Sequence, residues 1–286
     1  MACGENPKRV YGQRGGPSTR MANVAGYRAA FIDASEYLKK NKPKPAAAPK
    51  RRWWQSASDA KDSNNDSGGK RDLKMDTLAG AINGDILVHI HCYRADEIAI
   101  MLDLAKEFGF KISAFHHGVE AYKLADRLAQ EKVCGALWAD WWGFKMEALD
   151  GIQENLLLVD RAPGGCAIVH SDSSEGIQRL NQEAAKAMAQ GTRVGLNVPP
   201  ERAVQWITAN AAKSLGILDK TGTLEPGKMA DVVVWNGNPF SVYAKAEQVY
   251  IDGARVYDRN DRSRQPVSDF MLGQSAAPSS LEGAVR

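Results

Sequence analysis

The sequence lacks several features that would indicate particular classes of protein. It has no run of about 18 apolar residues, so we expect no transmembrane helix and no membrane partner. Its formal net charge is only +3 over 286 residues, which does not indicate binding to nucleic acid. The basic run Lys50-Arg51-Arg52 lies in a polar stretch and is better explained as part of a solvated loop. The first sixteen residues have no apolar core typical of a signal peptide, and we assign no compartment.

Cysteine is scarce, with only four in the chain: Cys3, Cys92, Cys134 and Cys166. Their spacing matches neither a disulfide framework nor a zinc ribbon. Three of them lie in or beside apolar, strand-like segments, where free cysteine behaves as a small hydrophobic residue. The expectation is therefore four free thiols, of which these three are buried.

The composition, 44% hydrophobic and 25% charged, is that of an ordinary globular protein. Between residues 71 and about 216, strand-like segments alternate with helical patterns. The strand-like segments are 86–91, 111–117, 133–140 and 165–172. This repeated β-then-α order predicts an α/β fold with a parallel sheet and helical crossovers.

The rest of the chain has a different pattern. Apolar residues at helical spacing predict a helix over 19–40, and the polar, proline-rich stretch 41–70 predicts a loop or disordered insertion. After residue 218 two further strands are expected, and Asp252-Gly253 within the second indicates a hairpin. The predicted domains are therefore 1–218 and 219–258, followed by a polar tail over 259–286.

All five histidines, His89, His91, His116, His117 and His170, lie at or near the carboxyl ends of predicted parallel strands. The last of these strands also ends in Asp172. In βα barrels these strand ends form the mouth that carries catalytic groups. Neutral imidazole and carboxylate are the usual zinc ligands of hydrolytic sites, where the metal activates water and a carboxylate transfers the proton. The sequence therefore predicts a metal site.

Motifs along most of the chain resemble those of the amidohydrolase superfamily, and within it the imidazolonepropionase-like amidohydrolases. The matching segments are GENPKRVYG (4–12), PSTRMANVAGYRAAF (17–31), VHIHCYRADEI (88–98), FHHGVEAYKLADRLA (115–129), ADWWGFKMEALDGIQEN (139–155), VHSDSSEGIQRLNQEAAKAM (169–188) and ITANAAKSLGI (207–217). The most specific stretch runs from GTLEPG to VYDR over 222–259. The resemblance covers about 4–30 and 71–259.

The resemblance implies a hydrolase that uses one or two divalent metal ions, with zinc expected, to attack a C–N bond of a small molecule. The bond would belong to an amide, cyclic amide or amidine. By position, His91 matches the single metal-binding histidine of the family's fifth barrel strand and His117 that of the sixth. Asp172 matches the strand-eight aspartate that binds metal and acts as base and then acid. Glu5, after the fourth strand, is the candidate bridging ligand.

The resemblance also implies that the first three barrel strands, with the family's own His-x-His motif, are absent. We therefore expect a partial (β/α)₈ TIM-type barrel of about strands four to eight, plus C-terminal strands of a small β-sandwich. Such a barrel has two open edges. The chain is then truncated, is completed by a partner that supplies the missing N-terminal half, or associates as a homo-oligomer. The alternative function is an incompetent fragment or subunit that needs that partner.

The remaining histidines are expected to support the ligands. His89 shares a strand face with His91, one layer deeper, and is interpreted as a core residue hydrogen-bonded to a neighbour. His170 shares a strand face with Asp172, one layer deeper, and is either a supporting partner of the ligands or a core histidine with its hydrogen bonds satisfied. His116 is expected to point away from His117 if the strand is regular, with a supporting role for the ligands as the other possibility.

Aromatic and basic residues near the strand ends leave alternatives open. Tyr93 and Arg94 are candidates to bind a substrate carboxylate, although Arg94 is equally explained as an exposed residue at a helix start. Trp141 and Trp142 either line a pocket or pack against helices, and packing is favoured.

Overall fold

The computed structural model describes residues 1–41 and 71–264. The chain forms two compact units, Met1–Gly222 and Thr223–Arg286, and each is described by itself. The contact pattern divides the chain after Gly222, whereas the sequence pattern placed the division after 218. Most of the predicted insertion over 41–70 and of the tail over 259–286 lies outside the described residues. In the described ranges, no helix is both long and apolar enough to cross a bilayer.

The first unit is built on a four-stranded parallel sheet in the order β1-β2-β3-β4, which confirms the predicted α/β fold. The strands are β1 (Val88–Cys92), β2 (Ile112–His117), β3 (Cys134–Leu137) and β4 (Ala167–Val169). The segment before the first helix lies parallel beside β1, where Cys3 N–H donates to the carbonyl of His91 at 2.7 Å. The carboxyl ends of all four strands therefore share one edge, as parallel pairing requires.

Helices precede, connect and follow the strands. Before β1 lie α1 (Glu5–Tyr11), α2 (Arg20–Lys40) and α3 (Leu73–Asn83). The three crossovers contain α4 (Ala95–Phe108), α5 (Ala125–Gln130) and α6 (Asn155–Arg161). After β4 come α7 (Leu180–Arg193), α8 (Pro200–Ala203) and α9 (Ala209–Ser214).

Helix α4 illustrates how the sequence fixes an element. Ile98, Met101, Leu102 and Ala105 recur at helical spacing and are all buried, so one face of the helix packs on the core. The helix ends at Gly109, which adopts the left-handed conformation with φ 78° and donates its N–H to the carbonyl of Ala105 at 2.9 Å. A residue without a Cβ takes this conformation at little cost, and the chain can then turn into β2.

The predicted helix over 19–40 is confirmed as α2. It begins at Thr19, whose hydroxyl oxygen accepts the backbone N–H of Ala22 at 3.0 Å. Its fully buried Phe31 stacks on Phe110 and Phe108, with ring centroids 4.4 and 5.5 Å apart. This aromatic contact joins α2 to the segment that leads from α4 into β2.

Two segments whose apolar residues recur at helical spacing, 146–162 and 199–217, do not form continuous helices. Over 146–162 the chain forms a short 3₁₀ turn, Met146–Ala148, and then α6, with Gly151 between them. Over 199–217, α8 and α9 are separated by the 3₁₀ turn Val204–Ile207 and by a non-helical backbone at Thr208 (φ −135°, ψ −92°). The apolar spacing was correct, but periodicity alone does not locate breaks that tertiary packing imposes.

The expectation of free thiols is wrong: Cys3 is bonded to Cys92, and Cys134 to Cys166. Cys134 and Cys166 come directly before Gly135 and Ala167, which pair across β3 and β4. Cys3 follows Ala2, which pairs with His91, and Cys92 follows His91. Adjacent strands therefore bring the Cα atoms of Cys3 and Cys92 to 4.9 Å and those of Cys134 and Cys166 to 4.6 Å, within the range of a disulfide bond. Sequence spacing does not reveal such pairs, because the strand register creates them.

The second unit contains an antiparallel sheet in the order β5-β6-β7. Its strands are β5 (Val232–Trp235), β6 (Ala246–Ile251) and β7 (Ala254–Asp258). The predicted hairpin is confirmed, because Asp252 and Gly253 both have positive φ, 50° and 79°, as a type I′ turn requires. Over 223–264 these three strands form one sheet, and the expected β-sandwich stays a prediction.

Candidate functional site

All five histidines lie together at the carboxyl edge of the parallel sheet. Ring centroids are 4.7 Å apart for His91 and His117, 5.2 Å for His89 and His116, and 5.2 Å for His117 and His170. The cause is the parallel topology, which carries the ends of β1, β2 and β4 to one edge although they are far apart in sequence. We call these five residues the histidine cluster.

His91 and His117 face each other with their ring nitrogens. Nδ1 of His91 lies 2.8 Å from Nε2 of His117. Two imidazole nitrogens bound to one tetrahedral zinc ion lie about 3.3 Å apart, so a movement of about half an ångström would accommodate an ion. The second nitrogen of His117, Nδ1, is buried and has no hydrogen-bond partner among the described residues. These two side chains thus fit a metal ion as a pair of ligands.

Both ring nitrogens of His89 have hydrogen-bond partners, and these partners define its tautomer. Its Nε2 lies 3.1 Å from the carbonyl oxygen of Ser214 on α9, so this nitrogen must carry the proton. Its Nδ1 then accepts the Nε2–H of His116 at 2.9 Å. Both ring nitrogens of His89 are used, which is the arrangement expected of a core histidine bonded to its neighbours.

The expectation that His116 points away from His117 is wrong. The ring of His116 stacks on His91 at 5.0 Å and meets His170 edge-on at 5.9 Å. The backbone at His117 has φ 73°, so the alternation of side chains ends there and both histidines reach the cluster. His170 stacks on Trp138 at 5.1 Å, and its buried Nε2 lacks a partner within the described ranges.

Burial favours the neutral form of four histidines of the cluster, His91, His116, His117 and His170. Desolvation is the largest cause in each case and lowers the pKa of His116 to about 4, of His170 to about 3 and of His117 to about 2. Burial also lowers the pKa of His91, while the Asp172 carboxylate acts in the opposite direction. At neutral pH these imidazoles are in the uncharged form that binds metal ions.

Asp172 and Glu5 are less closely associated with the pair. Asp172 follows β4 with φ 51°, and its charge acts on both His91 and Tyr93. Glu5 lies in the first turn of α1, and its backbone N–H donates to a Glu147 carboxylate oxygen at 2.8 Å. Across 1–41 and 71–264, no three His, Cys, Asp or Glu side chains converge closely enough to hold a metal ion. The structure thus brings together His91 and His117, without a third ligand.

The two candidate substrate-binding residues are placed differently. Tyr93 is buried, its ring stacks on His117 at 4.7 Å, and the ammonium of Lys145 lies 3.6 Å from its ring centroid. Burial, followed by the charge of Asp172, raises the pKa of Tyr93 to about 12, so the phenol stays protonated. Arg94 precedes α4 and donates to the carboxylate of Asp96 at 3.0 and 3.2 Å, as a helix-start residue does.

A buried ionic group beside the cluster was not foreseen. One carboxylate oxygen of the buried Glu147 accepts both Arg20, at 2.9 Å, and the backbone N–H of Glu5. Lys145 lies 3.4 Å from the other oxygen. Two of these partners are distant from Glu147 in sequence, Arg20 by 127 positions and Glu5 by 142. No local pattern could have indicated this group.

Beside His117 lies a cavity of about 250 Å³. Its lining includes His117, Trp138, Asp140, Trp141, Trp142 and Asn155. Trp141 and Trp142 remain 41% and 61% exposed, so they line this cavity rather than pack against helices, contrary to the favoured expectation. The cavity opens at the carboxyl edge of the sheet, where catalytic groups of βα proteins lie.

Comparison with known proteins defines the class. An amidohydrolase family model matches residues 166–257. The solved structure of an amidohydrolase from Thermotoga maritima MSB8 superposes with a TM-score of 0.75 and 32% identity, covering 91% of this chain and 62% of that one. These matches confirm the resemblance to the amidohydrolase superfamily that the motifs indicated.

Two curated relatives describe the likeness further. The protein named Amidohydrolase tasK, from Hapsidospora irregularis, is 32% identical over 265 residues, which is 90% of this chain and 25% of that protein. An imidazolonepropionase from Mesorhizobium japonicum is 38% identical over 82 residues, 29% of this chain and 18% of that enzyme. The chain thus spans a quarter or less of the length of these curated relatives.

Proposed function

We propose that the chain is part of a metal-dependent hydrolase that breaks a C–N bond in a small molecule: an amide, cyclic amide or amidine. The observation that carries this proposal is the His91–His117 pair, whose ring nitrogens lie 2.8 Å apart and whose neutral forms are favoured by burial. The resemblance to the amidohydrolase superfamily supports the reaction class, although a fold alone does not define a substrate.

His91 and His117 would hold one divalent ion, zinc being expected, through Nδ1 and Nε2 respectively. Such an ion supplies Lewis-acid chemistry and activated water near neutral pH. The hydrogen bonds between His89, His116 and the Ser214 carbonyl hold the rings beside this pair in fixed tautomers. Glu5 remains a candidate further ligand. A second ion would need ligands in addition to these residues.

Asp172 is the proposed proton carrier and a further ligand. It follows β4 at the same edge as His91, and its charge acts on that imidazole. It would accept a proton from the attacking water and return it to the leaving nitrogen. Tyr93, with a protonated hydroxyl, and Arg94 remain candidates to orient a substrate carboxylate, and Arg94 would first have to leave Asp96.

We propose further that the parallel sheet is part of a (β/α)₈ barrel. The segment Met1–Cys3, β1, β2, β3 and β4 lie side by side in chain order, as the last five strands of such a barrel do. The likeness to the Thermotoga maritima amidohydrolase supports this arrangement. The strands of the second unit would then belong to the family's β-sandwich.

The second candidate function is a subunit that becomes active only with a partner chain that completes the barrel and the metal site. It is favoured by the absence of a third metal ligand in the described ranges. The coding sequence upstream of Met1 separates the possibilities: a stretch encoding His-x-His after a strand would favour a truncated or split enzyme. Activity appearing only on co-expression of that stretch would favour the subunit.

Zinc content tests the metal site. The purified chain, reconstituted with zinc and dialysed, should retain the metal, and the double variant His91→Ala/His117→Ala should lose it. His89→Gln is the control, because His89 bonds to Ser214 and is not a proposed ligand. Equal zinc in wild type and double variant, measured by plasma mass spectrometry on folded protein, would show that the assignment is wrong.

A further inference from the structure

The segment after β3 has an unusual number of exposed aromatic side chains. Trp141, Trp142 and Phe144 are 41%, 61% and 53% exposed, although each could cover a large apolar area. Proteins rarely leave several large aromatic residues of one short segment in water, and such patches commonly mark binding sites. We call the side chains of Trp138, Trp141, Trp142 and Phe144 the aromatic platform.

The aromatic platform is held in place before any ligand arrives. The indole N–H of Trp138 donates to the carbonyl of Ser171 at 2.9 Å, and that of Trp142 to the carbonyl of Leu149 at 2.6 Å. Trp141 stacks on Trp138 with centroids 5.4 Å apart and planes 17° apart. A prearranged surface binds more tightly, because little side-chain entropy is lost on binding.

The aromatic platform is continuous with the histidine cluster. Trp138 stacks on His117 at 4.6 Å, and both line the cavity of about 250 Å³ together with Trp141 and Trp142. A substituent held against these indoles would place the rest of a small molecule beside His117. The cavity is therefore suited to orient a substrate toward the proposed metal site.

Two polar side chains of the cavity, Asn155 and Asp140, are engaged within the protein. The Asn155 side chain accepts from Tyr122 N–H at 2.8 Å and donates to the Gly118 carbonyl at 2.9 Å. The Asp140 carboxylate is paired with Lys186 at 2.9 Å. Trp141 and Trp142 leave flat π surface exposed in the cavity, and such a surface favours a planar ring over a puckered aliphatic ring of similar size.

We propose that the aromatic platform is a binding subsite for a planar aromatic group on the substrate. Substrates of the class inferred above would thus be amides or cyclic amides that carry an aromatic ring. This inference rests on the proposed function for the reacting bond, but the binding of the ring does not depend on metal or turnover.

Binding of two matched amides to the full, metal-free chain tests the inference. Benzamide and cyclohexanecarboxamide share the amide and a six-carbon ring, and differ in whether that ring is flat. Ligand-observed NMR titration should give a Kd for benzamide lower by about 2- to 10-fold, as expected of aromatic stacking. Trp141→Ala and Trp141→Leu should both abolish this preference, whereas Trp141→Phe, which keeps a π face, should retain it.

The control is Tyr243→Ala, which removes an exposed aromatic side chain of the second unit and should leave the preference unchanged. Equal Kd values for the two amides in wild type, or a preference that persists in folded Trp141→Ala and Trp141→Leu, would overturn the inference. Because binding is measured without metal, failure of zinc retention or hydrolysis would count only against the proposed function.

Discussion

Acid should destabilise the metal-free protein at an unusually high pH, because desolvation favours the neutral form of His116, His117 and His170 in the folded state. The pKa of His116, His170 and His117 is lowered by burial to about 4, 3 and 2 respectively. In the unfolded chain each should titrate near about 6.5. Between these values the unfolded state binds more protons, so the free energy of unfolding falls as the pH falls.

The size of the effect follows from this difference. From pH 6.5 to 5.5, an exposed histidine gains protons while the buried one stays neutral, which costs about 1 kcal/mol per residue. Three such residues give about 3 kcal/mol, a large part of the total stability of a domain, about 5–15 kcal/mol. Glu97, whose pKa burial raises, acts in the opposite direction, whereas His91, whose pKa burial lowers, adds to the loss.

Urea denaturation at pH 7.5, 6.5 and 5.5, with metal removed by a chelator, measures this effect. The loss should be concentrated below pH 6.5, and His116→Gln should reduce it by about 1 kcal/mol, because that variant has one titrating group fewer. The matched control is Gln13→His, which adds a histidine at an exposed position and should leave the pH dependence unchanged. If the free energy of unfolding changes by less than about 0.5 kcal/mol between pH 7.5 and pH 5.5, the reasoning is refuted.

Two further substitutions test the fold. Phe31→Ala removes a fully buried ring that stacks on Phe108 and Phe110, and should lower the free energy of unfolding by about 3–5 kcal/mol in urea denaturation. The control is Ile32→Ala at a half-exposed position, which should lower it by less than about 1 kcal/mol. Similar losses for both variants would contradict the packing of α2. Gly4→Ala adds a methyl group that overlaps the Glu147 carboxylate at a backbone φ of +69°, and should cost about 2–4 kcal/mol. Unchanged stability of this variant would show that residues 3–5 are not held against Glu147.

The sequence predicted the parts of the fold that depend on local pattern. The alternation of apolar strands and amphipathic helices gave the parallel sheet, and Asp252-Gly253 gave the hairpin. It failed where tertiary contacts break a local rule. Periodicity encodes neither the break between Ala148 and Asn155 nor the φ of 73° at His117, which brings His116 and His117 to the same cluster.

The sequence by itself determined that the five histidines lie together at one edge of the sheet. The reason is that the carboxyl ends of parallel strands share an edge and all five histidines lie at or near such ends. Family resemblance then singled out His91 and His117, whose roles stay predictions. Only the tertiary structure decided which nitrogens face each other, that the cysteines pair across strands, and that Glu147 meets Arg20. These contacts join residues distant in sequence, and their geometry follows from strand register and packing, which no local pattern specifies.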